Sequence, residues 1–312
     1  MQTLTYAVGE AYDGDTLQNF LRRSCGLSWR MVVRLKQVPG GMLLDGRPVR
    51  SIDRVHAGQQ VTLRLPADTV RIEGADLPLA VVYEDESILV VDKPPFLAVH
   101  PSAGKPEPTL ANAVVAHYAR QGTPLSFRPT NRLDRNTSGL LLAAKNAHVA
   151  YALTNKAHKE YLAIVLGRLE GEGLIDQPIR VREGSCITRE VGEGGKESRT
   201  HWRALGTDGE ISLVHLVLET GRTHQIRVHM AWLGHPLAGD TMYGPGDGLL
   251  PRHGLHCAVL QVGHPLTGEP LRFVSPLPAD MAALVRARGL QVPALGQGMD
   301  GCGPQRPADM VY

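Results

Sequence analysis

The sequence predicts an α+β protein built from more than one domain. At roughly 100–200 residues per domain, the 312 residues of the chain correspond to two or three domains. Hydrophobic residues make up 43% of the chain and charged residues 21%, as in an ordinary globular protein that buries its own core. The segments that read as strands and helices do not alternate as repeated βαβ units, which favours an α+β fold over a doubly wound parallel sheet.

The composition limits the classes of function. Net charge is only +2 and aromatic residues make up 5% of the chain, so any surface that binds nucleic acid has to be local. No two of the four cysteines form a C-x-x-C pair, which argues against a structural zinc site, a redox dithiol and a disulfide framework. The first residues lack a signal-peptide pattern, and no run of 18 apolar residues could span a membrane. We therefore expect a monomeric, cytoplasmic protein.

Residues 1–66 are predicted to form a small domain of two helices and a short sheet. The first helix follows Asp15, and the second begins after Ser28, a residue type that caps helix N-termini. The pair Asp45-Gly46 between apolar segments indicates a hairpin, and Val61–Leu65 alternates as a strand. Apolar residues at helical spacing support both helices, namely Leu17, Phe20 and Leu21 in the first and Met31, Val32 and Leu35 in the second.

The same segment predicts a local basic face. No acidic residue occurs between Asp15 and Asp45. The cations that lie in this stretch are Arg22, Arg23, Arg30, Arg34 and Lys36. They suit the phosphates of a nucleic acid, although an ordinary solvated surface explains them equally well.

The rest of the chain is predicted to be a linker over 67–78, a larger α+β domain over 79–290, and a poorly ordered Gly- and Pro-rich tail over 291–312. The predicted strands of the larger domain are Leu79–Tyr83, Ile88–Val91, Gly139–Ala144, Tyr161–Leu166 and Ile211–Leu218. Its predicted helices are Thr109–Gln121, Ala147–Leu153 and Arg222–Leu233.

The strongest chemical signal is the segment Asn131–Gly139, which enters a buried strand. Asp134 lies there between Arg132 and Arg135, and nearby cations favour the ionised form of a carboxylate. Such a carboxylate can act as a nucleophile or a general base. A turn-capping aspartate is the alternative, and composition alone favours it.

A second signal is the segment Gly221–His229. If it is helical, Thr223 and Arg227 lie on one face, and the arginine offers a planar fork for a carboxylate or phosphate. A charged surface helix is the alternative. Three histidines lie close in sequence, but their spacing is not H-E-x-x-H and no carboxylate or cysteine falls at a ligand spacing, so zinc is not expected.

Two further segments are weaker candidates for a functional role. Tyr161 opens a strand, where it is either a core residue or a stacking platform for a base. Asp92–Pro95 followed by His100-Pro101 reads as a rigid turn after a strand. The sequence contains no G-x-S-x-G elbow, no P-loop and no G-x-G-x-x-G after a strand, so no nucleotide cofactor is implied.

In chain order these segments resemble the RluA/RluD-type family of RNA pseudouridine synthases over about residues 79–285. The matching pieces are D-K-P at Asp92–Pro94, H-P at His100–Pro101, R-L-D-R-x-T-S-G at Arg132–Gly139, A-K at Ala144–Lys145, K-x-Y at Lys159–Tyr161, G-R-T-H-Q-I-R-V-H at Gly221–His229, G-H-P-L-x-G-D at Gly234–Asp240, Y-G at Tyr243–Gly244 and L-H at Leu255–His256. Each piece is weak, but the ordered set is specific. Residues 14–66 resemble the S4-like RNA-binding domain, whose paired helices present cations to RNA.

The resemblance implies a mixed, largely antiparallel sheet around a catalytic cleft, an RNA substrate, and no metal or organic cofactor. Asp134 matches the family's catalytic aspartate, and Arg227 matches the arginine that pairs with it. Tyr161 matches the tyrosine that stacks on the target base, and Arg132 matches the arginine that helps hold the target nucleotide out of its stack. One departure is Asn131, where the family usually has histidine.

Two other classes of function compete with this interpretation. A non-catalytic RNA-binding protein would have lost Asp134 or Arg227, and both are present. An RNA N-glycosidase would use the same aspartate to release free uracil without rejoining it. The sequence leaves open which uridine is modified, in ribosomal or transfer RNA, and by which route Asp134 acts.

Overall fold

The structure is a computed structural model that describes residues 3–65, 70, 72–101 and 107–292. The predicted tail lies outside the described residues from position 293 onward, and so does part of the predicted linker. The division of the chain into domains therefore stays a prediction at these boundaries.

The N-terminal segment folds around its own hydrophobic core, formed by residues between Leu4 and Leu65. Its elements are β1 (Thr3–Ala7), α1 (Leu17–Arg23), α2 (Trp29–Leu35), β2 (Met42–Leu44), β3 (Arg47–Pro48) and β4 (Gln60–Arg64), with the sheet order β1-β4-β2-β3. Both predicted helices are confirmed, and the Ser28 hydroxyl accepts the Met31 N–H at 3.2 Å as an N-cap. The hairpin is confirmed at Asp45 and Gly46, whose φ angles of 49° and 79° suit a tight β2–β3 turn.

The larger segment is built on a ten-stranded mixed sheet. Its strands are β5 (Ala80–Glu84), β6 (Ile88–Lys93), β7 (Arg128–Pro129), β8 (Ser138–Ala144), β9 (His158–Leu166), β10 (Glu172–Asp176), β13 (Arg199–Thr207), β14 (Ile211–Leu218), β15 (Leu255–Gly263) and β16 (Pro270–Val274). The strands β11 (Ile179–Val181) and β12 (Arg189–Val191) form a separate two-stranded ribbon. The main strand order is β10-β13-β14-β9-β15-β8-β6-β5, with β16 paired to β15 and β7 to β8. Among the described strands only β8 and β15 pair in parallel, which confirms the largely antiparallel α+β architecture.

The helices of this segment are α3 (Leu110–Arg120), α4 (Ala147–Ala152), α5 (Gln225–Trp232) and α6 (Ala279–Ala287). Thr109 and Asn112 form a capping box that starts α3, as its sequence predicts. Every residue of β8 is buried, which explains its continuous apolar sequence. The Tyr6 hydroxyl lies 3.0 Å from His148 Nε2, so the N-terminal segment contacts α4 directly.

One sequence prediction, the start of helix α5, is wrong in detail. Helix α5 begins at Gln225 rather than Arg222, because His224 adopts a left-handed conformation with φ of 58°. Thr223 therefore lies before the helix and does not share a helical face with Arg227. Part of the predicted linker also packs on the larger segment, since the Asn112 amide donates to the Glu73 carbonyl at 2.8 Å.

Candidate active site

Asp134 lies on the loop that joins β7 to β8, and the Asn131 side chain anchors this loop. The Asn131 Oδ1 atom accepts the Leu142 N–H at 2.8 Å, and its Nδ2 donates to the Leu140 carbonyl at 3.3 Å. Asn131 is buried and satisfies two backbone groups of β8. An amide can do this because it carries both a donor and an acceptor, so the asparagine in place of the family's histidine has a structural role here.

A glycine lets the loop enter β8 beside the parallel strand β15. Gly139 has a φ of 108°, and an added Cβ would lie 2.2 Å from the Cys257 carbonyl oxygen. Both the backbone conformation and the close approach therefore require glycine at this position. The contact fixes where β8 begins and hence where the Asp134 loop leaves the sheet.

Arg227, on the first turn of α5, connects two carboxylates. Its Nη1 donates to Asp134 Oδ2 at 3.2 Å. Its Nε and Nη2 donate to the two oxygens of Asp240 at 2.8 and 2.9 Å, a bidentate pair. The Asp240 side chain is 1% exposed and that of Asp134 is 27% exposed, so Asp240 is the buried partner and Asp134 faces the cleft.

The charges in this group stabilise each other. Burial lowers the pKa of Arg227, but the hydrogen bonds and charge of Asp240 and the charge of Asp134 outweigh it and hold the pKa above its ordinary value. Burial raises the pKa of Asp240, but Arg227 outweighs this effect and the pKa lies below its ordinary value. Arg227 is therefore a permanent cation, fixed by Asp240 and aimed at Asp134.

Tyr161 lines the same cleft from β9, next to Cys257 on β15. Only 5% of the residue is exposed. Burial, followed by the neighbouring Cys257 and the charge of Asp134, raises the pKa of the Tyr161 hydroxyl well above its ordinary value. The phenol therefore keeps its proton at neutral pH and does not act as a phenolate.

His224 is a further polar group beside Asp134. Its Nε2 lies 3.8 Å from Asp134 Oδ2, and its Nδ1 lies 2.8 Å from the Tyr243 hydroxyl. Burial lowers the pKa of His224, although the charge of Asp134 partly offsets this effect. The Tyr243 hydroxyl also accepts the Arg189 N–H at 2.9 Å, so the β12 ribbon is tied to this corner of the cleft.

Two buried basic side chains hold the backbone of the Asp134 loop. Lys93 Nζ donates to three carbonyls, of Pro94, Leu97 and Arg135, at 2.8–3.0 Å, and burial lowers the pKa of Lys93 to about 7. The Arg252 guanidinium donates to the Asn136 carbonyl at 3.0 Å and forks onto Asp280 of α6 at 2.8 and 3.0 Å. These contacts fix the backbone of the two residues that directly follow Asp134.

The cleft in front of Asp134 has a volume of about 780 Å³, within the range of ligand-binding pockets. The cationic and imidazole side chains that line it are His100, Arg132, Arg135, Lys159, Arg222, His224 and Arg227. The acidic residues that line it within the described ranges are Asp134 and Glu107. The cleft is therefore a basic surface around a single deep carboxylate, which suits an anionic polymer.

The candidate site residues that line this cleft are Asp134, Arg132, Tyr161 and Arg227. The five cations of the N-terminal segment are exposed, and they lie on α1, on α2 and at the residue that follows α2. From the sequence no role is assigned to Asp240, Tyr243 or Arg252, although Asp240 and Tyr243 occur in the quoted motifs. Over the described ranges no group of three or more potential ligands could hold a metal ion. His229 and His235 instead bond to Thr200, Gln177 and Leu166.

Comparison with known proteins shows the family of this chain. A sequence model of the RNA pseudouridylate synthase family matches residues 87–232, which include Asp134, Tyr161 and Arg227. A Bacillus subtilis protein described as an uncharacterized RNA pseudouridine synthase, YjbO, is 37% identical over 270 residues, covering 84% of this chain and 95% of that protein. The chain belongs to the RNA pseudouridine synthase family.

Other relatives narrow the family to the RluA/RluD type. Ribosomal large subunit pseudouridine synthase D of Vibrio parahaemolyticus is 38% identical over 278 residues, covering 81% of this chain and 85% of that enzyme. The human RNA pseudouridylate synthase domain containing 1 structure is 28% identical, with a TM-score of 0.54 over 70% of this chain and 97% of that one. The chain is therefore an isomerase that acts on RNA. In the part of the chain that the structure describes, no helix is long and apolar enough to cross a membrane.

Proposed function

We propose that this enzyme converts uridine to pseudouridine in ribosomal RNA, with Asp134 as the catalytic carboxylate. The observation that carries the proposal is the position of Asp134: it faces the cleft, and Arg227, itself held by buried Asp240, donates to it. The ribosomal substrate is proposed because relatives at similar identity are ribosomal large subunit enzymes. We therefore also propose that the enzyme acts in the cytoplasm.

The reaction breaks the N1–C1′ bond of uridine, rotates the uracil and rejoins it to C1′ through C5. It involves no net oxidation or reduction, so the proposal requires no redox cofactor. Asp134 would attack C1′, add to C6 of the base, or remove the C2′ proton. Each of these routes requires an ionised carboxylate in contact with the nucleotide.

Arg227 and Tyr161 have separate roles in this proposal. Arg227 holds Asp134 in one orientation, because the guanidinium donates to it and cannot rotate away from Asp240 without breaking a bidentate pair. Tyr161 supports the flipped base by stacking, which is worth about 1–3 kcal/mol per base. Since its hydroxyl stays protonated, it would relay the C5 proton to water or to Asp134 rather than remove it as a phenolate.

The target uridine has to leave its helix before Asp134 can reach it. Extrusion of a nucleotide costs a few kcal/mol and least where the base is already unpaired. Arg132 is exposed at the cleft beside Asp134, and we propose that it helps hold the nucleotide out of its stack. The basic rim of the cleft would bind the neighbouring phosphates, which positions the RNA without reading its sequence.

The N-terminal segment is proposed to be an S4-like RNA-binding domain. Its cations Arg22, Arg23, Arg30, Arg34 and Lys36 are exposed, and within the described ranges none of them forms an ion pair. Unpaired surface cations are available for phosphates, and each neutralised phosphate steepens the dependence of affinity on salt.

A map of pseudouridines in ribosomal and transfer RNA, from cells with and without this gene, tests the proposal. We expect a site in ribosomal RNA to disappear with the gene and to return with the wild-type copy but not with Asp134→Asn. Loss of a pseudouridine only in transfer RNA would contradict the proposal that ribosomal RNA is the substrate. Release of free uracil from RNA by the purified enzyme would contradict the isomerase reaction and indicate an N-glycosidase.

A further inference from the structure

Trp29 is an exposed aromatic residue on the N-terminal segment. It is the first residue of α2, and 49% of its surface is exposed. Tryptophan is buried to a large extent in most folded proteins. Here Met31, Val32 and Leu35 provide the buried face of α2, so the fold of the segment does not require an indole at position 29.

The ring lies beside one free cation of the basic face and on the same helix as two others. Lys36 Nζ is 5.3 Å from the centroid of the Trp29 ring, and Arg30 and Arg34 are exposed on the same short helix. Neither these two arginines nor Lys36 has a carboxylate partner within the described ranges. Elsewhere in the structure, exposed arginines such as Arg50 and Arg120 are paired with aspartates.

We propose that Trp29 is a stacking platform for an unpaired base of the RNA substrate. This inference rests on the RNA-binding role proposed above for the N-terminal segment. An aromatic ring beside cations is the combination that binds single-stranded nucleic acid, because the ring stacks on a base of any identity while the cations bind phosphates. A base within a continuous duplex has both faces covered by its neighbours, so Trp29 would favour an unpaired base in a loop, a bulge or a single-stranded overhang.

The affinity of the full-length protein for two RNA probes tests this proposal. One probe is a hairpin with a single-stranded loop, and the other is a blunt, fully paired duplex with the same number of phosphates. For the hairpin we expect Trp29→Ala to bind about 5- to 140-fold more weakly, which corresponds to the loss of about 1–3 kcal/mol of stacking. Affinity for the duplex should change little, because that probe offers no unpaired base.

The salt dependence separates stacking from charge. Trp29→Ala removes no cation, so the slope of log affinity against log salt should be unchanged. Arg30→Gln should lower this slope on both probes, by up to about one unit. Trp29→Phe keeps an aromatic ring and should retain most of the affinity for the hairpin. The matched control is Trp232→Ala, since Trp232 is equally exposed, at 51%, but lies at the end of α5.

Several outcomes would overturn the proposal. Wild-type affinity of Trp29→Ala for the hairpin would show that no base stacks on the ring. Equal weakening on both probes with a lower salt slope would mean that Trp29 only supports the cations. Thermal unfolding of each variant excludes misfolding as the cause. Turnover at saturating RNA is measured separately, so an enzyme that makes no pseudouridine would refute the proposed function without changing the comparison of affinities.

Discussion

Replacement of Arg227 by methionine is the perturbation that tests the core of the site. The side chain of Asp240 is 1% exposed, and its two oxygens would lose both hydrogen bonds to Arg227. Removing one partner of a buried ion pair typically costs about 3–5 kcal/mol, because the other charge stays buried without its counter-charge; Asp240 would still accept the Met242 and Tyr243 N–H groups. At about 2–4 °C per kcal/mol for a domain of this size, the unfolding midpoint should fall by roughly 6–20 °C.

The pH dependence identifies Asp240 as the source of this loss. In the wild type Arg227 holds the pKa of Asp240 below its ordinary value, so the pair contributes stability above pH 4 that is lost as pH falls through the folded pKa. In Arg227→Met the effect of the arginine is lost, so burial raises the pKa of Asp240 against the weaker opposition of the Met242 N–H and the charge of His253. The difference in stability between variant and wild type should therefore be largest near neutral pH and shrink toward about pH 4.

Second-site variants and activity complete this experiment. Asp240→Asn added to Arg227→Met should recover part of the stability but no activity, since Asp134 still lacks its partner. A misplaced catalytic group can cost about 100-fold in rate, and we expect at least that loss. Arg288→Met, which breaks more exposed pairs with Asp208 and Glu210, should change stability far less than Arg227→Met. A stable, fully active Arg227→Met enzyme would refute the reasoning.

Four further variants test other parts of the protein. Tyr161→Phe should keep RNA affinity but lose most turnover if the hydroxyl relays the C5 proton, and Tyr161→Leu should also weaken productive binding; normal kinetics for both would make Tyr161 a core residue only. Gly139→Ala should lower both stability and turnover, because its Cβ would lie 2.2 Å from the Cys257 carbonyl oxygen; an unchanged unfolding midpoint would contradict the close approach of β8 and β15. Removal of residues 1–66 should weaken binding and flatten the salt slope while turnover at saturating RNA persists; an unchanged slope would make the basic face an ordinary solvated surface.

The sequence predicts those elements whose burial follows a clear pattern. The bounds expected for β14 are the observed ones, because almost every residue of that strand is buried. Strand β13 is half-buried along most of its length, so its sequence shows no two-residue alternation of apolar and polar positions. The start of α5 is also missed, since the left-handed His224 is held by a tertiary contact with Tyr243 that no local signal announces.

In the site, too, the residues that carry a sequence motif are predicted, whereas those set by tertiary contacts are not. The resemblance of ordered motifs indicates that Asp134 and Arg227 meet, and their 3.2 Å contact agrees with it. The bidentate pairing of Arg227 with Asp240 could not be predicted, because a buried carboxylate and a turn-capping one look alike in sequence. The burial of Asp240 and its short distance to Arg227 identify it as the buried partner, and both result from the packing of α5 against the loop that follows it.

Tritium release from RNA labelled at C5 of uridine tests the central claim most directly. Forming the new bond at C5 displaces the proton there, so each turnover releases one tritium into water. We predict that Asp134→Asn releases none above background while still binding RNA, and that Glu107→Gln, which alters the other cleft carboxylate, releases tritium at close to the wild-type rate. Substantial turnover by Asp134→Asn would contradict the assignment of Asp134 as the catalytic carboxylate.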